Sequence, residues 1–259
     1  MQVQRYEDGI PSWVDLGSSD LDGAKRFYHD LFDWNTPEGP PEAGGYTVCD
    51  IDGKTVAGLG PNMNPAAPPH WSTYVNVDSA DDTAAKVEAN GGTVYIAPMD
   101  VMDAGRMAVF GDPQGAVIGL WQPGQHMGAQ LVNEPRTYCW SELMTDDLAG
   151  AKAFYKSVFG WDAETQGPEG PGGYTEWKVG GKSIGGMMSK PPTMPPGTPS
   201  FWGVYFAVED TDATLSKAQG LGASVLMPAT DIEPGRFAVL SDPEGAMFNI
   251  LALKPELQA

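Results

Sequence analysis

The feature that most limits how this chain can fold is that it is written nearly twice over. Residues 13–34 read WVDLGSSDLDGAKRFYHDLFDW and residues 140–161 read WSELMTDDLAGAKAFYKSVFGW, identical at 11 of 22 positions at an offset of 127. GRMAVFGDPQGA at 105–116 returns as GRFAVLSDPEGA at 235–246, with 8 of 12 positions identical. Between these blocks WSTYVNVDSADD (71–82) matches WGVYFAVEDTDA (202–213), so the offset moves only between 127 and 131. Order and spacing are both kept, which marks a duplicated domain rather than a shared motif. A length of 259 residues divides into two domains of ordinary size.

Each copy has the same local grammar. A short strand (13–16; 140–143) leads into a helix in which Ala24, Phe27, Tyr28, Leu31 and Phe32 fall at helical spacing, with Ser19 or Asp20 as its N-cap. Gly44-Gly45 and Asp52-Gly53 mark turns between short strands, the latter a hairpin turn. A Pro-rich connector follows, then a strand (71–77), a helix over about 80–90 stopped by Gly91-Gly92, and three more strands. Asp112-Pro113-Gln114-Gly115 and Asp242-Pro243-Glu244-Gly245 read as tight turns before the last strand. The expected fold is α+β, with four β-α-β-β-β modules in tandem pairs. The expected boundaries are residues 1–124, a linker at 125–136, and 137–259.

This grammar resembles the vicinal oxygen chelate superfamily of glyoxalases, bleomycin-resistance proteins and extradiol dioxygenases. The pieces that carry the likeness are the D-L-x-x-A-x-x-F-Y run near the start of each half and D-P-x-G-A near its end. More narrowly, the chain is similar to tandem glyoxalase-like proteins of actinobacteria, and the stretch HMGAQLVNE at 126–134 is typical of them. The resemblance implies that each pair of modules curls its strands into a cup, and that the cup is the site. It also implies divalent-metal ligands on four strands of each cup. Those positions fall on Trp13 and Trp140, on Gly58 and Gly186, on Trp71 and Trp202, and on Gly119 and Asn249. Indole and glycine offer a metal no localised lone pair, so neither a metal nor any other cofactor is expected. Of the three histidines, His29 falls on a helix surface, His126 in the linker, and His70 should face away from Trp71.

What the cups hold instead follows from strand alternation. Asp15 should share a face with Trp13, Glu142 with Trp140, and Trp121 with Gly119. A Trp-lined cup with one carboxylate fits a flat, aromatic or polyketide-like ligand. The expected ligand-binding set is Trp13, Trp71, Trp121, Trp140, Trp202, Asn249, Tyr46 and Tyr174, the two tyrosines lying at the rim. Packing of the same tryptophans as ordinary barrel filler is the alternative. The first functional expectation is a metal-free small-molecule binding protein of the bleomycin-resistance type. The second is a metal-independent enzyme of specialised metabolism in which Asp15 or Glu142 serves as acid or base, since burial beside indoles raises a carboxyl's pKa. Arg106 and Arg236, placed alike in both halves, are expected to tie strand ends to Asp112 and Asp242.

Charge narrows the partners. With 34 acidic and 15 basic residues the net charge is −19, a field that repels nucleic acid and anionic membrane surfaces. No apolar run is long enough to span a bilayer and the N-terminal stretch lacks the pattern of a secretory signal, so a cytoplasmic monomer or homodimer is expected. Cys49 and Cys139 do not match between the halves and form no metal or disulfide framework.

Overall fold

A computed structural model describes residues 1–254, so the last five residues of the expected second domain lie outside the described residues. The first half runs β1 (Pro11–Ser18), α1 (Leu21–Phe32), β2 (Thr47–Ile51), β3 (Lys54–Pro61), β4 (His70–Asn76), α2 (Ala80–Ala89), β5 (Thr93–Val101), β6 (Gly105–Gly111) and β7 (Val117–Pro123). The second half runs β8 (Tyr138–Thr145), α3 (Leu148–Phe159), β9 (Asp162–Gln166), β10 (Tyr174–Val179), β11 (Lys182–Ser189), β12 (Phe201–Ala207), α4 (Thr211–Gly220), β13 (Ser224–Ile232), β14 (Gly235–Ser241) and β15 (Met247–Leu253). Strand order is β2-β3-β1-β4-β7-β6-β5 in one sheet and β9-β10-β11-β8-β12-β15-β14-β13 in the other. The two orders match over seven strands, as the duplication requires, and the second sheet adds β9 at its edge. No helix among the described residues is long and apolar enough to cross a membrane.

The first module keeps the order of the other three with one strand reduced to a bridge between Asn35 and Asp50, where the second half has all of β9. The intervening NTPEGPPEAGG carries three prolines, which cannot donate to a ladder. Helix starts behave as the sequence predicts. Asp20 and Asp147 accept from the backbone N–H of Gly23 and Gly150, and added Cβ atoms on either glycine would strike the capping carboxylate. Asp52 and Gly53 both take left-handed backbone angles, as a two-residue hairpin turn demands.

The apolar core does not follow the halves. One cluster joins α1, β1 and Trp71 to Val204, Phe206, Phe248 and Ile250 of the second half. The other joins Val75, Phe110 and Leu120 of the first half to α3, Trp161 and Trp202. Each core therefore pairs the first module of one half with the second module of the other. The sheets meet back to back at this junction, where Thr73 Oγ1 lies 2.6 Å from Ser141 Oγ.

Candidate functional site

Register decides which side chains face the cups. Trp13 pairs with Tyr74, Asp15 with Ser72 and with Gly58, and Tyr74 with Gly119. These positions therefore share one face of the first sheet, and Val14, Leu16, Trp71 and Thr73 share the other. Trp140, Glu142, Gly186, Tyr205 and Asn249 are gathered in the same way in the second sheet.

Tyr46 and Tyr174, expected at the rim, reach the cup floor instead: in the first cup Trp13 Nε1 donates to Tyr46 Oη at 2.9 Å, and the Tyr46 hydroxyl donates to Asp15 Oδ2 at 3.1 Å. Tyr74 is a second hydroxyl donor to the same carboxyl. Burial drives Asp15 up to about 7, against which the two tyrosine hydrogen bonds pull downward. Burial, reinforced by the neighbouring Asp15, also pushes both phenols well above their ordinary range, so each stays a proton donor. Asp15 itself is only partly shielded from solvent, while Tyr74, Trp13 and Trp121 are buried around it. In the second cup Trp140 Nε1 donates to Tyr174 Oη at 2.8 Å and Tyr205 donates to Glu142 Oε1 at 2.9 Å. Tyr174 is a further donor to Glu142, whose carboxyl is buried and raised by desolvation.

The glycines at two of the mapped ligand positions make this arrangement possible. A Cβ on Gly58 would stand 1.9 Å from the Tyr46 hydroxyl, and one on Gly186 would stand 1.9 Å from that of Tyr174. A Cβ on Gly119 would stand 2.2 Å from the Tyr74 ring. Aromatic rings thus fill the space through which a metal-binding side chain would project. At the fourth mapped position in the second half, Asn249 spends its amide on the Val204 carbonyl at 3.0 Å. The donors left are one carboxyl and tyrosine hydroxyls in the second cup, and the same set with the single imidazole of His126 in the first. Among the described residues no group of three or more His, Cys, Asp or Glu side chains is placed to hold a metal ion. This donor set does not fit the divalent ion the fold family implies.

The structure takes two expected residues out of the cups. Trp71 and Trp202 point to the junction side, because Trp71 sits opposite Leu16 and Trp202 opposite Leu143. There Trp71 Nε1 donates to Tyr28 Oη at 2.9 Å, and Tyr28 donates to Asp242 Oδ2 of the other half at 3.0 Å. Trp202, Tyr155 and Asp112 repeat the chain at 2.9 and 3.0 Å. The cup positions on these strands belong instead to Tyr74 and Tyr205, which the repeated WSTYVNV and WGVYFAV blocks had displayed as a matched pair. The arginines differ from expectation as well. Arg106 bridges Asp81 and Asp100, and Arg236 bridges Asp212 and Asp231, because the turn aspartates are already engaged across the junction. His126 was the other omission: its ring lies against Trp13 and Trp121 in the first cup, and nothing repeated in the sequence pointed to it.

Comparison with known proteins agrees with the fold. A family model described as Glyoxalase/Bleomycin resistance protein/Dioxygenase superfamily matches residues 10–120 and 129–250. The chain belongs to that superfamily. Among its relatives, a putative glyoxylase, CFP32, of Mycobacterium tuberculosis is 43% identical over 97% of each chain. The anthracycline biosynthesis protein DnrV of Streptomyces peucetius is 37% identical over 97% of this chain and 96% of its own. Solved superfamily structures with the same fold include the Mn(II)-bound glyoxalase of Novosphingobium aromaticivorans, with a TM-score of 0.65 at 16% identity over 96% of this chain and 84% of its own. The 2,3-dioxygenase LapB of Pseudomonas sp. KL28 has a TM-score of 0.66 at 14% identity, over 97% and 96% respectively.

Proposed function

We propose that this superfamily member binds a flat aromatic or polyketide-like small molecule in its cups without a metal ion, with Asp15 and Glu142 meeting the ligand's polar edge. The observation that carries the reading is the filling of the ligand positions at Gly58, Gly119 and Gly186 by tyrosine rings, which leaves an aromatic floor with a single carboxyl. The wall of the first cup fits the same ligand class. Met107 pairs with Trp121 across β6 and β7, and Met99 beside it on β5 remains 44% exposed, an adaptable apolar lip. The 37% identity to an anthracycline biosynthesis protein supports a place in specialised metabolism.

Asp15 favours a second reading, that of a metal-independent enzyme. A carboxyl that titrates at about 7 and is flanked by two phenol donors both gives and takes a proton near neutrality. An isomerisation or cyclisation of a polyketide-like substrate needs nothing more from the protein than that exchange and a fixed orientation.

Tryptophan fluorescence of chelator-treated protein, titrated with a panel of aromatic polyketides, tests the binding reading. Saturable quenching is expected with at least one compound, unchanged by added Mn(II), Fe(II) or Zn(II). A strict requirement for any of these ions, or quenching by none of the compounds, overturns it. Turnover lost in Asp15→Asn with binding retained would favour the enzyme over the binder.

A further inference from the structure

After β7 the chain stays on the first cup. Gly124 and His126 donate their backbone N–H groups to Ala104 O at 2.8 and 3.0 Å, and Trp121 Nε1 donates to His126 O at 2.8 Å. Thr55 Oγ1 then donates to Gly128 O at 3.0 Å, and the Ala129 N–H to Ser12 O at 2.8 Å. Residues 124–129 thus form a strap from the β5–β6 turn to β1 and β3, pinned at both ends. The strap holds the His126 imidazole edge-on to Trp13, with centroids 4.4 Å apart, and to Trp121, 5.6 Å apart. Its Nε2 is buried and has no hydrogen-bond partner. A polar nitrogen left unpaired in a packed protein costs folding free energy, and a ligand that completes the bond offsets that cost.

We propose that His126 Nε2 is the polar anchor of the first cup, hydrogen-bonding a hydroxyl on the edge of a planar aromatic ligand that packs against Trp13 and Trp121. The proposal rests on the reading of the cup as an aromatic-ligand site. Burial holds the ring neutral, pushing it down to about 4, so it presents one donor and one acceptor rather than a cation. A hydroxyl suits either tautomer because it both donates and accepts. The second cup lacks the device. Leu251 stands where the first has Trp121, and the three histidines of the chain are His29, His70 and His126. The register that matches the Gly124 bond to Ala104 with the Lys254 bond to Pro234 carries position 126 to Glu256, outside the described residues. Among the described residues, the first cup alone carries this imidazole anchor.

Equilibrium dialysis with naphthol and with methylnaphthalene, which is the same size and has no hydrogen-bonding group, separates the two claims. His126→Leu should weaken naphthol binding about tenfold and leave methylnaphthalene unchanged, as loss of one hydrogen bond predicts. His126→Gln, which keeps a donor and an acceptor, should recover part of the loss. Trp13→Ala should weaken both probes alike. Equal effects of His126→Leu on both probes, or none on either, overturn the anchor and leave the aromatic cup standing. Binding of both probes that Trp13→Ala does not alter, or binding of neither, overturns the cup reading itself. Should a variant unfold, the imidazole nitrogen resonance of wild-type His126 still decides. It should shift on adding naphthol and not on adding methylnaphthalene, and the absence of any such difference overturns the anchor.

Discussion

The same three groups, tryptophan N–H to tyrosine hydroxyl to carboxylate, are used twice in each half for different ends. At the junction Trp71, Tyr28 and Asp242 run in series at 2.9 and 3.0 Å, and in the first cup Trp13, Tyr46 and Asp15 do so at 2.9 and 3.1 Å. What differs is the far end. Asp242 Oδ1 also accepts the backbone N–H groups of Glu244 and Ala246 at 3.0 and 2.9 Å, and the carboxyl is 3% exposed. Both of its oxygens are engaged by protein donors and closed to solvent, so the chain is a fastener between the halves. Asp15 has hydroxyl partners alone and keeps some access to solvent, so its remaining acceptor capacity and its proton are open to a ligand. The chemistry of the triplet does not distinguish a fastener from a site; the supply of backbone donors does.

The largest effect should come from cutting a fastener. Tyr28→Phe leaves a buried carboxylate and a buried indole N–H each short of a partner, and the site cannot admit water readily. Urea unfolding should show a loss of about 3 kcal/mol, with Tyr155→Phe similar, against about 1 kcal/mol for Tyr46→Phe, where Asp15 keeps some access to solvent. Equal losses at the two tyrosines would erase the distinction. A smaller effect is expected from Gly58→Ala, whose methyl would displace the Tyr46 hydroxyl and crowd Asp15 Cβ. A cost of about 2 kcal/mol is expected, together with a downward drift of the Asp15 titration followed by carboxyl NMR, because relief of burial, the larger cause of the raised value, outweighs the lost Tyr46 hydrogen bond that had pulled it down. An unchanged titration would mean that the tyrosine does not cover the acid.

Much of this was legible in the sequence because it was local or repeated. Helix α1, its Asp20 cap, the Asp52-Gly53 turn and the pairing of Asp15 with Trp13 all follow from spacing within one strand or helix. The orientation of Trp71 did not, because strand alternation gives relative faces and not which face is the cup. Anchoring on the mapped ligand position put Trp71 on the wrong side, whereas its register with Leu16 places it in the core. The cross-junction bonds were hidden for another reason. Tyr28 and Asp242 lie 214 residues apart, and their partnership depends on how two domains dock. His126 had no repeated counterpart, and its position depends on backbone bonds to Ala104 that composition and periodicity do not encode.

The smallest effect is the one that most directly probes the open end of the cup chain. Burial holds Asp15 at about 7 in the folded protein, while an unfolded aspartate titrates near 3.8. Between those values the folded chain binds the extra proton, so the contribution of Asp15 to stability is fully present below about pH 4. It is lost as pH rises through 7. Asp15→Asn removes the ionisation and keeps an oxygen that accepts from one tyrosine. The variant should match the wild type near pH 4 and exceed it at pH 8 by on the order of 1 kcal/mol, since solvent access to the cup floor reduces the cost of the buried charge. Thermal unfolding across that range measures the difference. A variant that is less stable than wild type at pH 8 would mean that ionised Asp15 is as fully satisfied as Asp242, and the cup chain would then be one more fastener.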